Sequence, residues 1–448
     1  MPNPAFDPVA ATEALLGSVP PEAVARSNAY FEGGYWLLLW GALVSLAAAF
    51  ALLHFHLAAR LRDLVERVSP RPWLALLLFA PPFIVAITLL ELPWAIYAGF
   101  AREHQYGFAT QSFGAWLADA AVALAVSVVQ LTPLIGVAYL LIRRAGRAWW
   151  AWAGGVAVAF LAFGLWIGPL YVEPLFNRYT PLEAGPLRDE ILSLARANGI
   201  PSDDVLVVDA SRQTTRISAN VSGLFGAARI ALNDNLLREG TPEEIRAVLG
   251  HEMGHYAMGH ASSLLLQMGL LLGIGFLFAD RAFAWALHRF GARWRVRGLA
   301  DPAGLPILYA AFVVFFFAAT PIYKTIFRVG EARADLFGLN AAREPDGFAS
   351  VTLKLGSYRK LAPSRLEEAL LFDHPSGKSR IEMAMRWKAE QLRAAAAAPA
   401  PAGKRRVAPR AASRRRAESN GGLVACRARA PRARASRGGL LPLRRREP

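Results

Sequence analysis

With 448 residues, 54% of them hydrophobic, the chain carries a formal net charge of +16 and one cysteine, Cys426, which excludes an intrachain disulfide and a cysteine-built metal centre. The charge is unevenly placed. From Lys404 onward one Lys and fourteen Arg face only Glu418 and Glu447, a balance of +13, so the body of the chain is nearly neutral and is not a basic nucleic-acid-binding domain.

Residues 1–34 form an N-terminal segment without a clear signal peptide, because Arg26 follows the acids Asp7, Glu13 and Glu22 and the apolar run begins only at Tyr35. The first apolar run is therefore expected to be retained as a signal anchor. Within 35–172 four runs of membrane-spanning length follow one another, at 35–58, 73–100, 115–142 and 149–172. Any one of them suits a buried helix in a soluble core. Together with two further runs at 262–279 and 303–327, and with the apolar composition, they exclude a soluble protein.

Residues 173–261 read as a soluble catalytic segment. Its part 203–234 has the β-branched runs and Gly turns of a short sheet. Such a sheet either aligns a peptide by strand addition or only packs a helix. A helix is then announced by Thr241 as cap, Pro242 in the first turn and Glu244 at the capping-box position, with Ile245, Val248 and Leu249 as its apolar stripe. On that helix His251-Glu252-Met253-Gly254-His255 sets two imidazoles one turn apart beside a carboxylate, the pattern of a zinc site with its own general base.

A catalytic zinc needs a third protein ligand and an open position. Met258 and Ala261 stand where a metzincin has Gly and His, and His260 falls one residue early, which fits a helix-end or supporting residue. After the hairpin 262–327, the segment 328–394 offers Glu331 as third ligand, with Asp335 one turn later to hold a ligating histidine by its free ring nitrogen. Taken alone, Glu331 and Asp335 also suit a solvated helix face. Residues 395–448 are an Ala/Pro/Arg/Gly-rich stretch without apolar period and are expected to be disordered.

Further motifs occur in a fixed order: Glu91-Leu92-Pro93-Trp94 with Glu103 and Gly107-Phe108, Pro174-Leu175-Phe176-Asn177-Arg178-Tyr179, Ser222-Gly223-Leu224-Phe225-Gly226, and Asp373-His374-Pro375 with Arg380. With the zinc helix, this series resembles the integral-membrane zinc metalloendopeptidases of the CAAX prenyl protease type 1 family, in a bacterial-type member, from about Trp73 to Arg386. The resemblance implies that His251, His255 and Glu331 bind one zinc ion per chain, that Glu252 activates water, and that Asp335 orients a ligand. It also implies that His374 and Arg380 approach the substrate carbonyl or its carboxylate. The family's substrate-binding asparagine is either replaced by Ser218 or displaced to Asn220.

The expected fold is mainly α, a multi-pass membrane protein with six transmembrane helices around a chamber and a small α+β gluzincin catalytic domain. The family it resembles uses seven. Its expected place is a cell membrane, the inner membrane of a bacterium, since Ala- and Arg-rich usage points to a GC-rich genome. Two arguments oppose each other on orientation. Arg60, Arg62, Arg67 and Arg71, then Arg143, Arg144 and Arg147, then five arginines between Arg281 and Arg297 put three loops in the cytoplasm and residues 173–261 outside. The resemblance to eukaryotic members implies a cytosolic zinc site. Both zinc segments share one side in either case, because two spans separate them.

The chemistry expected of this set is peptide hydrolysis. Zinc lowers the pKa of its water and polarises the carbonyl, and Glu252 shuttles the proton to the leaving amine. The expected partners are the lipid bilayer and a membrane-associated or unfolded protein substrate, with no nucleic acid. A dedicated CAAX-type or peptide-maturation protease is the alternative enzyme. A non-catalytic scaffold or transporter is the alternative from another class, opposed by the intact set of His251, Glu252, His255 and Glu331.

Overall fold

The computed structural model describes residues 6–223 and 228–397. Leu224, Phe225 and Gly226 of the motif noted above, Cys426 and the basic stretch from Lys404 lie outside the described residues.

Among the described residues five helices are long and apolar enough to cross a bilayer: α2 (Pro21–His54), α4 (Pro72–Gln105), α5 (Phe113–Arg144), α6 (Gly146–Leu175) and α10 (His260–Trp294). The pair α11 (Leu305–Ala318) and α12 (Thr320–Ala342) reaches the same length and apolarity only when taken together, and it is bent by 57° at the break. The bend falls at Thr320-Pro321, where proline withholds its N–H from the preceding turn. Pro81, Pro82 and Pro93 sit inside α4, and Tyr97–Ala101 relaxes into a π-helical turn just after the last of them.

The helices outrun the apolar runs that announce them. About 20 residues cross the hydrocarbon, whereas α2 starts at Pro21, well before Tyr35. Its polar first half packs on the C-terminal part of the chain: Ser27 donates to the carbonyls of Gly356 and Arg359, and the Tyr35 hydroxyl donates to Glu367. Before it, α1 (Pro8–Gly17) is capped by Asp7, and Leu15 and Leu16 pack against a cluster containing Phe348, Ile381 and Met385. The short amphipathic α3 (Leu57–Val68) turns a buried Arg62 onto Asp301, 2.7 Å away, so the loop after α2 and the loop after α10 lie on one face of the bundle.

The soluble part is built around four strands, β1 (Tyr179–Pro181), β2 (Val205–Val208), β3 (Ala219–Ser222) and β4 (Arg229–Asn233), in the order β1-β2-β4-β3. Strands β2 and β4 run parallel; β1 and β3 are antiparallel edges, with Ala219 opposite Leu232 and Val221 opposite Ile230. The inward side chains Val205, Ile230 and Leu232 join Ile191 of α7 (Pro186–Ala197) and Leu249 and Met253 of α9 (Pro242–Ala257) in one apolar core. The short α8 (Asp234–Glu239) links the sheet to α9. After α12 come α13 (Pro345–Leu355), α14 (Arg365–Leu371) and α15 (Gly377–Ala397), and α13 and α15 cover the far side of α9.

Candidate metal centre

Helix α9 carries both histidines, and its start is fixed locally. Thr241 accepts from the Glu244 N–H and Glu244 accepts from the Thr241 N–H, closing a capping box. Glu244 is buried and is also held by Lys354 at 2.5 Å and Ser350 at 2.6 Å, which ties α9 to α13.

Small residues let α9 and α12 touch backbone to backbone. A Cβ placed on Gly338 would stand 2.7 Å from the His251 amide nitrogen, and one on Gly254 would stand 3.2 Å from the Cα of Ala334. Gly250 and Gly254 on one helix thus face Ala334 and Gly338 on the other, each pair one turn apart. This close crossing carries Glu331 up to the two imidazoles.

His251 Nε2 lies 3.1 Å from His255 Nε2 and 3.1 Å from Glu331 Oε2, while His255 Nε2 lies 3.5 Å from Glu331 Oε1. Ligand atoms about 3.3 Å apart are what tetrahedral zinc with bonds of about 2.0–2.1 Å requires. Glu331 Oε2 is buried without a hydrogen-bond partner, and it lies close enough to both Nε2 atoms for the three to hold one ion. A buried carboxylate oxygen so orphaned beside two imidazoles fits a divalent cation. The same carboxylates act on His251: burial lowers its pKa, but Asp335 and Glu331 outweigh that and push it up to about 9.

Around this centre His251 Nδ1 lies 2.7 Å from Oδ1 of Asp335, off the line of a hydrogen bond. His255 Nδ1 lies 3.0 Å from His260 Nδ1, so His260 supports His255 from behind. His374 Nε2 stands 3.2 Å from Glu331 Oε2, and its Nδ1 stands 2.7 Å from Asp373, which Lys324 also holds at 2.6 Å. Glu252 faces the same cleft with neither hydrogen bond nor ion pair among the described residues, and burial raises its pKa.

Arg380, expected at the substrate, lines the cleft, and it donates from Nε and Nη2 to the two oxygens of buried Asp335, at 2.9 and 2.5 Å. Asn220, the other candidate for contact with substrate, is exposed on the outer edge strand β3 and is not among the residues lining the cleft, whereas Ile217, Ser218 and Ala219 are. The cleft has a volume of about 120 Å³, near the 150 Å³ of an engineered cavity that takes benzene, and Val248, Phe348, Val351 and Leu355 form an apolar wall. Tyr358 and Arg359 complete its lining, and no spacing in the sequence points to them.

Fold and site together define a multi-pass membrane metalloprotease. Two family profiles match side by side: the CAAX prenyl protease N-terminal region of five membrane helices over residues 8–178, and peptidase family M48 over residues 181–388. The chain belongs to this M48 family of CAAX prenyl protease type 1-like membrane peptidases. It is 28% identical over 366 residues to the uncharacterized metalloprotease YhfN of Bacillus subtilis, a match covering 81% of this chain and 86% of that protein. It is 32% identical over 194 residues to the CAAX prenyl protease 1 homolog of Dictyostelium discoideum, covering 42% of this chain and 45% of that protein, so less than half of that relative is spanned. The crystal structure of S. mikatae Ste24p has the same fold, with a TM-score of 0.66 at 21% identity over 84% of this chain and 93% of that one.

Proposed function

We propose that the protein is a zinc endopeptidase with one ion per chain, held by His251, His255 and Glu331, that cuts membrane-associated or unfolded polypeptides at the face of a bacterial inner membrane. The observation that carries this reading is the convergence of those three side chains beside a Glu252 carboxylate that nothing else engages among the described residues. When bound, a divalent cation there supplies Lewis acidity toward water and the scissile carbonyl.

The chain's own residues do the rest. Glu252 takes a proton from water and returns it to the leaving amine, and burial, which raises its pKa, favours its holding that proton in between. His374, held by Asp373 through Nδ1, offers its other ring nitrogen to the oxygen on which negative charge develops. Asp335 and Arg380 keep the His251 ring in place rather than meeting substrate. The edge strand β3, paired only with β4, offers its free side to an extended peptide, with Ser218 nearer the cleft than Asn220.

Purified Glu252→Gln is expected to retain its zinc while losing at least about a hundredfold in turnover, the share that general acid–base groups supply. Unchanged turnover in that variant would remove Glu252 from the mechanism.

A further inference from the structure

Among the described residues one cation in the cleft, Arg359, has no ion-pair partner. Arg359 follows α13, is partly buried, and lines both the cleft and the adjoining smaller cavity on the far side of His374. Its guanidinium makes no ion pair and no hydrogen bond among the described residues. The neighbouring Arg and Lys side chains are already matched: Arg380 with Asp335, Lys324 with Asp373, and Lys360 with Glu32 and Glu367. Burial first, and then the like charge of Arg380, lower the pKa of Arg359. A partly buried guanidinium whose five donors have no acceptor among the described residues forms a ready fork for an oxyanion.

The surroundings narrow the anion. The cleft joins the Ile217–Ala219 segment leading into the edge strand to an apolar wall that includes Phe348 and Leu355, with Arg359 and Tyr358 beyond Leu355 in the chain. A peptide in this cleft sets an apolar side chain against the wall and a neighbouring group within the reach of Arg359. We infer that Arg359 is a specificity-determining residue that pairs with a carboxylate of the peptide substrate, from an acidic side chain or a free C terminus, close to the bond that is cut. The inference rests on the peptidase reading above and adds the charge of the substrate to it.

The test uses the full-length chain in detergent, as Glu252→Gln, so that binding is read without cleavage. Three fluorescein-labelled decapeptides share one Leu-containing sequence: one with Gln at the position after Leu and an amidated end, one with Glu there and an amidated end, and one with Gln there and a free carboxylate directly after it. At least one carboxylate peptide should bind about tenfold tighter than the neutral one, a difference of about 1.4 kcal/mol, and the margin should shrink with salt. The peptide that gains identifies the source. Adding Arg359→Gln should abolish the margin, and adding Arg359→Lys should keep part of it. Zinc content checks that each variant is folded. Equal binding of all three peptides, or a margin that survives Arg359→Gln, overturns the inference even where the wild-type protein cleaves them. Preferential binding without any cleavage by the zinc-loaded wild type leaves the inference standing and removes the peptidase reading instead.

Discussion

Arg380 grips Asp335 through two parallel hydrogen bonds of 2.9 and 2.5 Å, and Asp335, fully buried, presents its Oδ1 to His251 at 2.7 Å. The candidate metal helix is therefore steadied from α15 through α12, along a chain of buried charges.

Breaking that chain is expected to loosen the metal without removing a ligand. Arg380→Met leaves a buried carboxylate unpaired, which costs about 3–5 kcal/mol, and frees the His251 ring, which lowers metal affinity by roughly 10–100-fold. Arg380→Lys should recover part of both effects, because it keeps the charge but not the fork. Competition with a zinc chelator and thermal unfolding measure the two quantities. A loss of peptide affinity with zinc affinity intact would return Arg380 to the substrate.

The crossing of α9 and α12 should tolerate no added methyl group. In Gly338→Ala the new Cβ would meet the His251 amide nitrogen at 2.7 Å, so the helices must part. Overpacking of this kind costs about 1–3 kcal/mol, and the displaced Glu331 should lower zinc content. Gly34→Ala, where a Cβ meets nothing, is the control. Full zinc occupancy in Gly338→Ala would show that the backbone contact does not position Glu331.

Glu244 gives the stability of α9 an acid limb. Burial alone would raise its pKa, but hydrogen bonds from Lys354, Ser350 and the Thr241 N–H outweigh burial and hold it below the ordinary glutamate value. A depressed carboxyl pKa stabilises the fold above the unfolded value of about 4.3, and that contribution is lost as pH falls through the folded value. Unfolding followed against pH should therefore lose stability on the acid side in the wild type. Glu244→Gln should be less stable at neutral pH and show a flatter acid limb. Parallel curves for the two proteins would exclude the linkage.

How much of this was legible in the sequence follows from what each feature depends on. His251, His255 and Glu331 were legible because metal chemistry restricts residue type and helical geometry fixes the spacing, and the fold brings those atoms together. The capping box at Thr241 and Glu244 was equally local. The Asp335 partner of Arg380 was not legible, since an arginine near a site points equally well to a substrate carboxylate or to a buried aspartate 45 positions away. Hydropathy shows 303–327 as one apolar run, because it records solvent preference and not the bend at Pro321. The start of α2 was missed for the same reason: apolar content marks the bilayer, while the helix continues into water. Gly250, Gly254, Ala334 and Gly338 did carry a signal, small residues at i, i+4 on both metal helices.

The most direct test of the central claim is the zinc coordination itself. X-ray absorption at the zinc edge, with metal analysis on the same purified full-length protein, should find one zinc per chain with two imidazole nitrogens and carboxylate oxygen at about 2.0–2.2 Å, and Glu331→Ala should bind zinc poorly. An unchanged metal content and coordination shell in Glu331→Ala, or a shell without two imidazoles in the wild type, would contradict it.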